Sequence, residues 1–319
     1  MSQTPAPQSR TTAPQGEPGS ALVIGEALID VVVDGSSVAE HPGGSPMNVA
    51  IGLARLGRRV ELATWYGTDE HGGAIDAHLE RDGVVVQDAS RRASRTGTAT
   101  ATLAGDGQAS YTFDLEWALP RVELADDLLV VHSGSIASTL EPGRRTVLEA
   151  LGRAGRTATV TYDPNVRTDL LADPARGRRL VEECVRLADV VKASDEDLAW
   201  LGEGADPEEV QRGWLSLGPR VVVMTRGGEG VVAMTSDGLE VRVPAAHVTV
   251  ADTVGAGDSF MSGLIDGLWT AGLLGAEHRD ELGRIDGATL RRVLERCSLI
   301  AGITVSRAGA NPPTLSELG

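Results

Sequence analysis

Short runs of Val, Leu, Ile and Ala recur along the chain, each closed by glycine or polar residues and most followed by a longer amphipathic stretch. The runs fall at residues 21–25, 60–66, 128–132, 158–162, 190–192 and 221–225; helical stretches fall at 46–56, 72–81, 144–154 and 175–187. Continuously apolar strands alternating with helices predict an α/β domain, its central sheet mostly parallel and flanked by helices on both faces. Ligands in such folds bind beyond the carboxyl ends of the strands. Residues 1–20 carry Pro, Gln, Ser, Thr and Gly without apolar periodicity, so a disordered tail is expected there and the domain over 21–319.

Two segments break the alternation. Residues 31–39 follow the first strand at once, and 97–113 alternate small or polar with apolar residues around Gly105-Asp106-Gly107, a hairpin signal. They predict a small antiparallel flap off the main sheet, built from about 31–40 and 95–115; an ordinary edge hairpin fits the pattern equally well.

Composition narrows the function. The 319 residues carry a net charge of −16, which repels nucleic acid and anionic membrane surfaces. Lys192 is the single lysine among 29 basic residues, so no lysine-bearing phosphate loop exists. No apolar run reaches membrane-spanning length and no basic-then-apolar leader opens the chain. Cys184 and Cys297 form no disulfide framework, and the six histidines show no metal spacing. These features point to a cytoplasmic protein with no nucleic-acid or membrane partner.

Asp252-Thr253-Val254-Gly255-Ala256-Gly257-Asp258-Ser259-Phe260 is the most informative stretch. Small residues ahead of an amphipathic helix leave backbone N–H groups free at its N-terminus, an anion hole made without lysine. Asp258 lies in the first turn, where it either takes a proton from an attacking hydroxyl or, like Asp252, merely caps the helix. Asp163, Asn165 and Arg167 gather at the end of another strand, either as a polar site or as a turn stiffened by Pro164. Ser133-Gly134-Ser135 reads as a strand-end turn and lacks the pattern of a nucleophile elbow.

Residues 252–260 resemble the carboxyl-terminal signature of the ribokinase, or PfkB, family of sugar kinases. Gly43-Gly44-Ser45-Pro46-Met47-Asn48-Val49-Ala50, followed by Leu56-Gly57, resembles the family's other signature. The two stand in the right order, and the likeness spans about residues 21–315, closest to the fructokinase branch. It implies a ribokinase-like fold with a β-sheet lid, ATP and Mg²⁺ as partners of a small sugar, and Asp258 as catalytic base beside an anion hole of Gly255, Ala256 and Gly257. Asp30, Gly43, Gly44, Asn48, Asp163 and Arg167 are implied to meet the sugar, Arg167 reaching either it or the transferred phosphate.

Thr225, Gly227 and Gly230 read locally as a tight hairpin and, by the resemblance, as the nucleotide loop. Asp195, with the nucleotide, and Glu196, associated with Mg²⁺, match a phosphate-positioning stretch; locally they read as the start of a helix. Asp252, Val254, Arg307 and Gly309 match a K⁺ loop, although Pro313 stands where some relatives supply a serine oxygen. A helix over 288–303 is implied to wall the adenine pocket. The resulting expectation is ATP-dependent phosphorylation of a primary hydroxyl, foremost of fructose. Ribose, 2-keto-3-deoxygluconate, a nucleoside, or non-catalytic sugar binding on the same scaffold remain as alternatives. A homodimer through the lid and an acidic monomer are both compatible with the sequence.

Overall fold

The computed structural model describes residues 19–35, 37–103, 109–171 and 173–319. The strands are β1 (Ser20–Ile24), β2 (Leu28–Asp34), β3 (Ser37–Gly43), β4 (Val60–Ala63), β5 (Val85–Val86), β6 (Thr98–Leu103), β7 (Ala109–Asp114), β8 (Leu128–Gly134), β9 (Thr159–Asp163), β10 (Val190–Ser194), β11 (Val221–Thr225), β12 (Val231–Thr235) and β13 (Glu240–Val243). Nine form a sheet in the order β13-β12-β11-β10-β9-β8-β1-β4-β5, and four form a smaller one in the order β3-β2-β6-β7. From β11 across to β5 every neighbouring pair is parallel, and β12 and β13 extend that edge antiparallel.

Side chains alternate across a strand, so burial on both faces demands unbroken apolar runs. Along β1, Ala21 and Val23 join one core while Leu22 and Ile24 join the other. Helices Ser45–Arg55, Glu70–Arg81, Ala256–Thr270 and Gly287–Val305 cover the first face. Helices Gly143–Ala154, Pro174–Val185, Asp195–Leu201 and Pro207–Leu215 cover the second. Asp69, Asp173, Ser194, Asp206 and Asp286 cap their helices by accepting first-turn N–H bonds. No helix among the described residues is long and apolar enough to cross a membrane.

The small sheet corrects two expectations. The first strand ends at Ile24, and the chain re-enters extended structure at Leu28, so Asp30 lies within β2 of the small sheet. Only Gly25 and Glu26 separate the apolar residues 21–24 from Ala27, Leu28 and Ile29, so hydropathy alone gives little sign of the break. The sheet is also not wholly antiparallel. β2–β3 and β6–β7 are hairpin pairs, but β2 and β6 run parallel in the register Ile29↔Thr98 because a long excursion through the main sheet separates them. The Gly105-Asp106-Gly107 turn and residues 1–18 of the expected tail lie outside the described residues.

Candidate active site

The carboxyl ends of β1, β8, β9 and β10 converge on the N-termini of two helices, Ser45–Arg55 and Ala256–Thr270. Neither helix has a side-chain cap: Gly44 and Gly255 precede them at φ 118° and 75°. Both φ values lie where a side chain is strained. Space forbids one as well, since a Cβ on Gly44 would stand 2.5 Å from Glu26 O and one on Gly255 would stand 2.6 Å from the Ala310 Cβ. The Ala256 N–H donates to Thr253 O at 3.3 Å. The N–H groups of Gly257 and Asp258 have no partner among the described residues and remain for an anion.

Asp258 does not cap its helix. Its carboxylate accepts from Ser45 Oγ at 2.7 Å and from Asn48 Nδ2 at 2.8 Å, and only 6% of the residue is exposed. Ser45 in turn accepts from Asn165 Nδ2 at 2.8 Å, and Asn165 Oδ1 accepts from Arg167 at 2.6 Å. A chain of oriented hydrogen bonds thus runs from Arg167 through Asn165 and Ser45 to Asp258, joining residues more than 90 positions apart. Asn165 holds a left-handed φ of 35°, a conformation asparagine tolerates better than most residues.

Asp163, at the end of β9, pairs with Lys192 of β10 at 2.7 Å, both almost wholly buried. Burial pushes the Asp163 carboxyl up to about 6, against the pull of the Lys192 ammonium. That value leaves the pair charged at neutral pH. Burial alone would lower the Lys192 ammonium, but Asp163 outweighs it and holds it above its ordinary value. Glu26, also buried, accepts from the Ala137 N–H at 3.2 Å, and desolvation raises its carboxyl.

Asp30 faces the same space from the small sheet. A Cβ on Gly43 would fall 1.9 Å from Asp30 Oδ2, so glycine there is what admits the carboxylate. Burial raises the Asp30 carboxyl to about 6; Arg167 and His41 oppose the rise and Asp258 adds to it. The unfolded chain titrates this group near 3.8, so the folded state holds the proton more tightly. The associated stability is complete below pH 3.8 and is lost as pH rises through about 6. Asp30→Asn is therefore expected to raise the unfolding free energy at pH 8 by up to about 3 kcal/mol, with the gain vanishing near pH 4. Urea titrations at the two pH values check this, and an unchanged midpoint at pH 8 contradicts it.

Other expected residues lie in three further places. Asp252 ties two loops together, accepting from the Val254 N–H at 3.0 Å and the Gly309 N–H at 2.8 Å. These bonds hold its carboxyl below the usual range. Arg307 instead turns to Glu317 at 2.5 Å. Thr225, Gly227 and Gly230 form the β11–β12 hairpin, and a Cβ on Gly230 would meet Val243 O at 2.2 Å. Asp195 and Glu196 open the helix Asp195–Leu201, but its capping box is made by Ser194 and Asp197. Asp197 also accepts from the Val166 N–H at 2.9 Å, fastening that helix to the Asp163–Arg167 turn. Glu196 is exposed, and no three His, Cys, Asp or Glu side chains cluster to hold a metal among the described residues.

The sequence alone groups Asn165 with Asp163 and Arg167, but it does not join Asn165 to Ser45, Ser45 to Asp258, or Lys192 to Asp163. Ser45 stood inside a recognised motif, and Lys192 carried a signal in being the only lysine, placed at a strand's carboxyl end.

The chain is similar to a fructokinase of Klebsiella pneumoniae, 34% identical over 270 residues that cover 80% of this chain and 86% of the relative. Its fold matches that of a Xylella fastidiosa fructokinase with bound ATP at a TM-score of 0.82 and 27% identity, over 94% of this chain and 96% of the other. It also matches a double mutant of the Vibrio cholerae O395 fructokinase with fructose, ADP and a potassium ion bound, at a TM-score of 0.77 and 25% identity, over 95% and 98%. The model of the pfkB family carbohydrate kinases covers residues 20–317. With a ribokinase-like sheet, two signature helices meeting at Asp258 and a family match over nearly its whole length, the chain belongs to the pfkB family of carbohydrate kinases.

Proposed function

We propose that this sugar kinase transfers the γ-phosphoryl group of ATP to a primary hydroxyl of fructose. The observation that carries the reading is the Asp258 carboxylate: buried, aimed by Ser45 and Asn48, and next to unpaired helix N–H groups. A bond forms between the sugar oxygen and the γ-phosphorus while the bond to the β-phosphate oxygen of departing ADP breaks, and the hydroxyl proton passes to Asp258. The Gly257 and Asp258 amides then face the charge gathering on the transferred group. Asp30, Asn165 and Arg167 supply the mixture of acceptors and donors that sugar hydroxyls need.

Thr225, Gly227 and Gly230 are assigned to the nucleotide phosphates and ribose, and the helix Gly287–Val305 to the adenine side. Val248 and Leu299, 41% and 45% exposed, leave apolar surface there for a base. Mg²⁺ fits as a companion of the nucleotide, with Glu196 and Asp195 nearest in role, because this ion is ordinarily held by phosphates, waters and few carboxylates. When bound, it would neutralise phosphate oxygens. The loops joined by Asp252 fit K⁺ through backbone carbonyls at Val254, Arg307 and Gly309. The small sheet is assigned as a lid that excludes water, and its exposed edge strand β3 as a homodimer surface. A cytoplasmic enzyme fits this reading.

A panel of fructose, ribose, 2-keto-3-deoxygluconate and nucleosides, followed by ADP release and product NMR, tests the proposal. Fructose is expected to show the highest kcat/KM. Preference for another sugar would replace the substrate, and absence of turnover with all of them would overturn the reading.

A further inference from the structure

We propose that Lys192 is a catalytic residue whose ammonium contacts the phosphoryl group during transfer. The inference rests on the phosphotransfer reading above and adds a residue to it. Its first support is position. On β10, Val190 faces the core beneath helix Ala256–Thr270, and the two-residue period of a strand turns Lys192 to that same face. The side chain therefore rises under the helix N-terminus that carries Asp258.

Its second support is space. A Cβ built on Gly257 would stand 3.0 Å from Lys192 Nζ, and no other atom outside its own chain neighbourhood lies within 4 Å of that point. Gly257 has no positive φ, so its backbone does not require glycine. What a side chain there would crowd is the ammonium. The missing side chain leaves Lys192 Nζ packed beside Gly257, the residue next to Asp258 at this helix N-terminus.

Its third support is valence. An ammonium has three N–H donors, and Asp163 at 2.7 Å is the ion-pair partner of this one among the described residues. Asp163 keeps it charged and fixed, leaving donors for an incoming phosphoryl oxygen. A compact point charge suits this space, whereas a guanidinium is planar and larger. The remaining 28 basic residues are arginine, so the chain's one lysine occupies the place where an arginine does not fit.

The test compares Lys192→Met and Lys192→Arg with the wild type for kcat, for both KM values, and for binding of ADP with aluminium fluoride in the presence of the sugar the wild type phosphorylates. Losing one oxyanion donor typically costs about 10²–10³ in kcat, and that loss is expected in Lys192→Met with both KM values held within about threefold. Affinity for the aluminium fluoride complex should fall in parallel while ATP affinity does not, a split that a merely structural lysine would not produce. Lys192→Arg should fail to restore turnover. If Lys192→Met does not fold, Asp163→Asn/Lys192→Met removes both charges and is compared with Asp163→Asn alone. A folded variant that keeps turnover and analogue affinity within about threefold of its reference overturns the inference. A wild type that phosphorylates no sugar overturns the functional reading instead.

Discussion

Asp258→Asn is expected to lower kcat by about 10²–10⁴, the usual contribution of a general base. The substitution keeps the shape of the side chain and an oxygen able to accept from Ser45 or Asn48, the two groups that now hold it at 2.7 and 2.8 Å. The fold and the affinity for sugar and ATP should therefore survive, and the loss should appear in kcat and kcat/KM alike. Steady-state kinetics with thermal unfolding on the same preparation separates this from misfolding. Near-normal turnover in a folded variant would remove Asp258 from the role of base. A similar loss in Ser45→Ala, smaller in size, would show that aiming the carboxylate matters as well as its presence.

The second large effect is on stability. Asp163→Ala is expected to destabilise the protein by about 3–5 kcal/mol at pH 7, because it strands the Lys192 ammonium in a site where only 4% of that side chain is exposed. Replacing both members by apolar groups removes the stranded charge, so Asp163→Ala/Lys192→Met should recover much of the loss. Urea unfolding of the two single variants and the double variant gives the coupling directly. Additive losses would mean that the pair is not coupled. The pH trend has a definite sign: with Asp163 gone, burial is opposed only by the more weakly acting Asp197 and Asp258, so the proton affinity of Lys192 falls from its wild-type value and the deficit should shrink as pH rises and the amine is released as a neutral group.

Much of the architecture is legible in local sequence. Apolar runs marked the parallel strands β1, β8, β9 and β11 nearly to the residue, because strands buried on both faces are rich in Val, Leu and Ile even where a few hydrogen-bonded polar residues such as Thr161 and Ser133 are buried with them. Helix starts were legible where a cap or proline marks them, as at Pro46 and Pro174. Less was legible where tertiary pairing decides. The two-residue strand β5 exists through its pairing with β4, and the break between β1 and β2 exists because β2 leaves the main sheet to pair with β3 and β6. Period and hydrophobicity look alike on both sides of that corner.

The site divides in the same way. The glycines around Asp258 and before Asn48 mark two helix N-termini open to an anion or a polar ligand, and that much is written in short stretches of chain. Which groups touch is not. Asp258 meets Ser45 and Asn48 across more than 200 residues, Asp163 meets Lys192 across 29, and Asp30 reaches the same space from a second sheet. By itself the sequence determined the elements, their apolar faces and the residue types at the strand ends, since these follow from periodicity and backbone sterics within a few residues. Only the tertiary structure decided that Asp258 is held by other side chains instead of capping its helix, and that the sole lysine lies beneath it. Those outcomes depend on strand order and helix placement, which bring distant side chains within hydrogen-bonding reach and remove the water that would otherwise satisfy them.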